Sequence, residues 1–170
     1  TGAAPGLLRE FYSIYKQNCL DYEIPLKPFA CMESLFAAPH GKDHVSIYYA
    51  YLKGQMIGGL IVLNSLMTAS YYIPCALAGA RQYQPGTLLI QKAMQDLMQK
   101  GIKYWNWEGS PSREDGVYRF KEQWGGPEYP FRVYIKRFVK ESTLAALGID
   151  RIRACFPFFY VYPFGCIAPS

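Results

Sequence analysis

At 170 residues, 51% of them hydrophobic and with 15 Tyr, 10 Phe and 3 Trp, the chain can bury one sizeable core, which excludes a disordered segment. Its net charge of +5 suits an acidic ligand (a phosphate-bearing cofactor, a nucleotide-linked sugar or RNA) as well as it suits ordinary solubility. Five scattered cysteines (Cys19, Cys31, Cys75, Cys155, Cys166) form no C-x-x-C pair, which argues against a disulfide framework or a zinc site and for a reducing compartment.

Thr1-Gly-Ala-Ala-Pro-Gly6 reads as a linker with neither an initiator Met nor a signal peptide, so the expectation is a unit of a longer, cytoplasmic protein. Leu7, Leu8, Phe11, Ile14 and Tyr15 recur at helical spacing, and a second helix is expected from Pro28 to Ala37, with Phe29, Met32 and Phe36 on one side. Pro39–His44 reads as a loop. The four-residue spacing of His40 and His44 would suit a metal only on a helix, and Gly41 argues against one; no metal site is expected. Val45–Leu52 and Met56–Asn64 are β-rich and joined by a tight turn at Lys53-Gly54, and Thr68–Ala76 is a third strand.

The loop Gly79–Gly86 leads into an amphipathic helix whose buried stripe is Leu89, Ile90, Ala93, Met94 and Leu97, closed by Gly101. Ile102–Trp107 is a strand again. Ser112 reads as the N-cap of a further helix, with Asp115 completing a capping box; Val117, Phe120 and Trp124 share one face of it. Tyr129, Phe131, Val133 and Ile135 alternate with their neighbours as in a half-buried strand. A last helix is expected at about Ser142–Ala154. The apolar tail Ala154–Ala168 is too short and too interrupted by Pro157 and Pro163 to span a membrane. It reads as a packing segment that covers the domain, a partner unit or a second copy.

A strand–helix–strand crossover inside an antiparallel meander implies one parallel pair in a mixed, mostly antiparallel sheet flanked by helices, an α/β domain with its core at about residues 7–138 and a C-terminal helix and tail at 141–170. Ligands in such sheets favour the carboxyl ends of the parallel strands, which brings Gly79–Gly86 and Glu108–Ser112 to one mouth.

The run Tyr104-Trp-Asn-Trp-Glu-Gly-Ser-Pro-Ser-Arg-Glu-Asp-Gly-Val-Tyr-Arg-Phe-Lys-Glu-Gln-Trp-Gly-Gly126 carries the most information. Its ordered Gly116-x-Tyr118-x-Phe120-Lys121 cluster, followed by Trp124-Gly125-Gly126 and set directly after a strand ending in Gly-Ser, resembles the signature of Fem-type (FemAB-like) transferases of the GNAT superfamily. The resemblance extends upstream through Tyr71-Tyr72, Gly79-Ala80 and Leu88-Leu89, covers roughly Phe11 to Lys136, and corresponds to the second of that family's two GNAT-like units. It implies an N-acyl or aminoacyl transferase acting on an amine, with a small molecule or a peptidoglycan or cell-surface polysaccharide precursor as acceptor. It also implies aminoacyl-tRNA or acyl-CoA as donor, no tightly bound cofactor, tRNA but not DNA as a nucleic-acid partner, and an upstream GNAT-like unit.

Two departures matter. Asn106 stands where the family usually has Asp, leaving Glu108 as the nearby carboxylate. The pyrophosphate loop of simple GNAT enzymes, Q/R-x-x-G-x-G/A, is not matched by Gln82 and Gly86, which are one residue too far apart. That favours another activated donor over acetyl-CoA, although N–H groups at the Gly86 helix start can hold an anion.

The resemblance assigns Lys121 to stabilising the transferring carbonyl, against the alternative of a solvated helix lysine; a fixed cation there lowers the barrier of acyl transfer. Glu108 is a candidate general base or a plain strand-end carboxylate. Tyr118 and Arg113 are candidates for donor or acceptor phosphates, with Tyr72, Gly86, Ser110 and Phe120 completing the expected binding set. Ser110 has no adjacent histidine, so it is not read as a nucleophile. A CoA-dependent N-acetyltransferase and a non-catalytic GNAT-like supporting unit are the two other readings.

Overall fold

The computed structural model describes residues 4–38, 44–110, 113–132, 134, 136, 138–148, 151 and 154. The loop residues 39–43, Ser112, Val133, Ile135, most of the chain past Gly148, and with them Cys155, Cys166 and the aromatic tail, lie outside the described residues.

Helix α1 (Pro5–Asp21) begins on a proline, which suits a first turn where no N–H is needed, and α2 (Phe29–Ala37) follows. Strands β1 (Val45–Leu52), β2 (Gln55–Ser65) and β3 (Thr68–Ala76) form the expected antiparallel meander. Lys53 and Gly54 both take positive φ, 49° and 83°, as a two-residue hairpin turn of matching twist requires. A 3-10 helix (Ala78–Tyr83) leads into α3 (Pro85–Gln99). α3 ends at Gly101, φ +86°, with Gly101 N–H on the Met98 carbonyl and Ile102 N–H on the Leu97 carbonyl, both at 3.0 Å. β4 (Tyr104–Asn106) then pairs parallel to β3, so the sheet order β1-β2-β3-β4 carries the one parallel pair that the crossover implied.

The sheet is covered on both faces. Phe11, Ile14, Met32, Ile47, Met56, Ile61 and Ile73 pack beneath α1 and α2, while Leu60, Val62 and Ala69 meet Leu89, Ile90, Ala93 and Leu97 of α3. β2 is therefore buried almost throughout and reads as a continuous apolar run. Cys19 and Cys75 are small buried groups whose thiols are pushed up by burial, Cys75 to about 12; Cys31 is exposed.

Gly59 is required by this packing. A Cβ there would lie 2.4 Å from Phe11 Cδ2 and 3.1 Å from the Tyr48 carbonyl oxygen, and Phe11 is fully buried. Gly59→Ala is expected to destabilise the domain by about 1–3 kcal/mol, the usual cost of overpacking a tight core. Urea denaturation would register this as a lower midpoint, and an unchanged midpoint would show that α1 lifts off the sheet freely.

Three sequence expectations need correction. Asp115, not Ser112, caps α4 (Gly116–Glu122): its side chain accepts the Val117 N–H at 2.8 Å, so the helix starts later than a cap at Ser112 would put it. The half-buried strand expected from Tyr129 is not formed among the described residues; Tyr129 and Phe131 are 79% and 66% exposed. Pro127 and Pro130 remove the N–H groups that a ladder needs, and the Phe131 ring sits on Gly109 instead. The single helix expected at about Ser142–Ala154 is interrupted: α5 (Glu141–Leu147) stops at Gly148, φ +73°, and Arg151 and Ala154 beyond it are again helical.

Candidate active site

The site forms where the parallel strands part. β3 and β4 are paired only at Thr68↔Tyr104, Ala69↔Trp105 and Ser70↔Asn106, yet β3 runs on to Ala76. The cause is a bulge: Tyr71 pairs with Val62 and Ile73 with Ile61, which leaves Tyr72 as the extra residue of β3. A bulge bends and twists its strand, so β3 is expected to turn away from β4 beyond Ser70 and to leave a cleft at their carboxyl ends. Tyr72, expected at the site, stands at this bend. Its phenol is raised by burial, with smaller pushes from Cys31 and Glu108.

At the end of β3 a side chain takes the place of a neighbouring strand. Asn18 of α1, 9% exposed, donates to the Ala76 carbonyl at 2.8 Å and accepts the Ala76 N–H at 2.9 Å, as a neighbouring strand would.

One wall is the start of α3. Gln84 has φ 51° and ψ 48°, the left-handed conformation that glycine adopts without steric cost, and Gly86 has open space where a Cβ would be. Counted from Arg81, the loop reads Arg81-x-x-Gln84-x-Gly86, which keeps the R-x-x-G-x-G spacing with a glutamine in place of the first glycine. The count from Gln82 hid this register. The first turn of α3 has N–H groups without partners inside the helix, of the kind that can hold an anion. The Arg81 guanidinium meanwhile donates to the Tyr22 hydroxyl and lies over that ring.

The other wall is the loop after β4. Asn106 accepts the Glu108 N–H at 2.9 Å, donates to the Glu108 carboxylate at 3.1 Å and donates to Ser70 Oγ at 3.3 Å. An aspartate could not make the two donations, so the Asn106 departure has a local role: it holds Glu108, itself at φ 58°, in the left-handed turn. Glu108 is exposed at the rim.

Lys121 reaches back from α4 and donates to the Gly109 carbonyl at 2.8 Å, with the Glu108 carbonyl at 3.5 Å. Desolvation lowers its pKa, opposed by the charges of Glu108 and Asp115. Ser110 Oγ is buried beside it without a hydrogen-bond partner.

An aromatic pack fixes α4 in place. Trp107 contacts Tyr71, Trp105 and Trp124 with ring centroids 5.5–5.7 Å apart, and Phe120 closes on Trp107 and Trp124 at 6.5 and 6.3 Å. Phe120 is thus a partly buried anchor packed against the core. Arg113 and Tyr118 hold the carboxylate of Glu128, a residue to which sequence reasoning gave no role. The structure therefore joins Lys121 to the Glu108–Ser110 loop after β4, sets Tyr72 at the bulge of β3 and Gly86 at the start of α3, and ties Arg113, just before α4, and Tyr118 of α4 to Glu128, beyond its end. Among the described residues, no three His, Cys, Asp or Glu gather as a metal group.

Residues 3–141 match the family model described as an acetyltransferase (GNAT) domain. The chain belongs to the GNAT acetyltransferase-domain family. No curated protein matches it. Solved structures show the GNAT fold at low identity. The aminoglycoside acetyltransferase AAC(6')-Iy, in complex with a CoA-linked bisubstrate analogue, is 21% identical with a TM-score of 0.57 over 78% of this chain and 92% of its own. The apo aminoglycoside 6'-N-acetyltransferase AAC(6')-IG of Acinetobacter haemolyticus is 15% identical with a TM-score of 0.60, covering 82% and 98%. A putative acetyltransferase of Agrobacterium tumefaciens is 17% identical with a TM-score of 0.59, covering 81% and 98%. The GNAT sheet expected from the sequence is therefore the fold, and the family is one of acyltransferases; none of these comparisons singles out the Fem type. No helix among the described residues is long and apolar enough to cross a membrane.

Proposed function

We propose that this GNAT domain transfers an acyl group from a CoA thioester to an amine, by direct attack of the amine on the thioester carbonyl. The observation that carries this reading is the wall at Arg81–Gly86: a left-handed residue at the first glycine position, followed by an open helix start beside the splayed strands. The fold neighbour AAC(6')-Iy is known in complex with a CoA-linked analogue, which supports CoA over aminoacyl-tRNA as donor. In this reading the first turn of α3 holds the pyrophosphate and the bend at Tyr72 admits the acyl end. Lys121 stabilises the oxyanion that forms when the amine adds, and Glu108 accepts the amine proton at the rim. The Fem-type reading is kept by the α4 signature alone, and it shares the same amine acceptor and the same lysine.

The donor is tested through Gln84. A glutamine side chain at a left-handed position crowds the approach of a phosphate to the backbone, so wild-type CoA affinity is expected to be weak, high micromolar or worse (about −5 to −6 kcal/mol). Gln84→Gly should tighten CoA binding severalfold in calorimetry while leaving stability nearly unchanged, because relief of the left-handed strain is offset by greater freedom of the unfolded chain. Gln84→Gly binding no more tightly than wild type, together with no CoA release from acetyl-CoA in the presence of a panel of amines, would remove the CoA assignment.

A further inference from the structure

Three donors converge on one carboxylate beside the cleft. Arg113 gives Nε at 3.3 Å to Glu128 Oε1 and Nη2 at 2.7 Å to Oε2, and the Tyr118 hydroxyl donates to Oε2 at 3.2 Å. The pair of guanidinium contacts is a fork-to-fork match between a planar cation and a planar two-oxygen anion. Nothing in the packing demands it: the Arg113 and Glu128 side chains are 75% and 47% exposed, so water and solutes reach the trio and its ion pair exchanges readily.

Its position gives it a use. Tyr118 precedes Lys121 by three residues on α4, which makes the two side chains neighbours on the helix surface, with Cβ atoms about 5–6 Å apart. A molecule anchored at Tyr118 and Arg113 would extend along this face of α4 toward Lys121. Glu128 also belongs to a segment tied across that loop at two further points. Gly126 lies against Trp107, and the Phe131 ring covers Gly109, where a Cβ would come 2.8 Å from Phe131 Cζ.

We propose that Arg113 and Tyr118 form a subsite for a carboxylate carried by the amine acceptor, and that Glu128 fills this subsite in the free protein. The proposal rests on the acyl-transfer reading and adds to it a substrate class: amines that also bear a carboxylate, such as amino acids and short peptides. An incoming carboxylate replaces Glu128 and releases the strap from 126 to 131. Because the binding-competent state is only a fraction of the free protein, Glu128 weakens the apparent affinity by that fraction.

Glycylglycine, glycylglycinamide and inorganic phosphate serve as probes in NMR titrations of wild type, Glu128→Gln, and Glu128→Gln combined with Arg113→Ala. Glycylglycine is expected to bind Glu128→Gln about three- to tenfold more tightly than wild type. The amide should bind neither, and the double variant should lose the gain. Equal affinity in wild type and Glu128→Gln, no binding to Glu128→Gln, or a gain that survives Arg113→Ala would each overturn the subsite. Phosphate binding Glu128→Gln more tightly than glycylglycine, through Arg113, would overturn the carboxylate class. CoA titration of the same proteins separates the two readings: loss of CoA binding everywhere removes the CoA assignment, whereas a failed dipeptide titration removes only the subsite.

Discussion

Lys121→Ala is expected to lower kcat by about 10²–10³-fold with little change in substrate affinity, the scale of losing one oxyanion donor. The structure gives the reason a physical form. The Lys121 ammonium already holds a carbonyl oxygen, that of Gly109, at 2.8 Å, and it does so from a desolvated position that lowers its pKa. A cation short of water gains more from a developing negative charge than one on an open surface. The same depression sets the pH profile. Below the lowered pKa the ammonium is present and its contribution to the rate is full. As pH rises through it the cation is lost, so kcat should fall at a pH below the ordinary lysine value of 10.5. Lys121→Arg should recover part of the rate and remove that alkaline limb, since a guanidinium stays charged but differs in shape. The sign for stability is opposite: a lysine whose folded pKa is depressed adds stability only as pH rises, so its removal should not weaken the fold at neutral pH. Near-normal turnover of Lys121→Ala, in the longest active form of the protein, would return this residue to the surface of α4.

The elements that the sequence made legible are those whose signal is local. The stripe Leu89, Ile90, Ala93, Leu97 and the terminator Gly101 define α3 almost to the residue, because both period and cap reside in consecutive positions. The meander followed from β-rich runs around Lys53-Gly54. What sequence patterns could not show was pairing. The bulge at Tyr72 is a relation between β3 and β2, and the early end of β4 is a relation between β3 and β4. Both create the cleft, and neither leaves a mark in composition. The strand read from Tyr129 onward failed for a related reason. Alternating aromatic residues signal a half-buried ladder only if a neighbour is there to pair with them, and here Phe131 has Gly109 instead.

The α4 signature marked out Lys121 and Phe120 but could not separate a side chain that reaches the Gly109 loop from one that anchors the helix. That division came from the Trp107 pack. Glu128 escaped because its partners are 10 and 15 residues away, and a lone glutamate between prolines carries no pattern. Arg81-x-x-Gln84-x-Gly86 escaped because its glycine is a glutamine, and only the backbone angles of Gln84 reveal the position.

Asn18 belongs with these hidden relations, and its replacement should have the largest effect on stability. Asn18→Ala is expected to cost about 2–4 kcal/mol, because two part-buried hydrogen bonds go and the Ala76 N–H and C=O lose their partners, each at about 1–3 kcal/mol. Against a typical domain stability of about 5–15 kcal/mol, that is a large fraction. The effect reaches function through geometry. Ala76 marks the end of the stretch of β3 that has parted from β4, and Asn18 is the one group that joins α1 to it by hydrogen bonds at both its N–H and its carbonyl. Without it, α1 is held to the sheet by its apolar contacts through Phe11, Ile14 and Tyr15 and by the long bond from the Cys75 thiol to the Phe11 carbonyl, and the end of β3 loosens. Asn18→Asp separates the two bonds. Its carboxylate still accepts the Ala76 N–H but faces the Ala76 carbonyl with no proton to offer, so it should be unstable at neutral pH. It should recover as acid protonates it, because a group whose folded pKa is raised contributes most below its unfolded pKa. Urea denaturation of the two variants at neutral and mildly acidic pH reads both outcomes. An Asn18→Ala midpoint equal to wild type would mean that water satisfies Ala76.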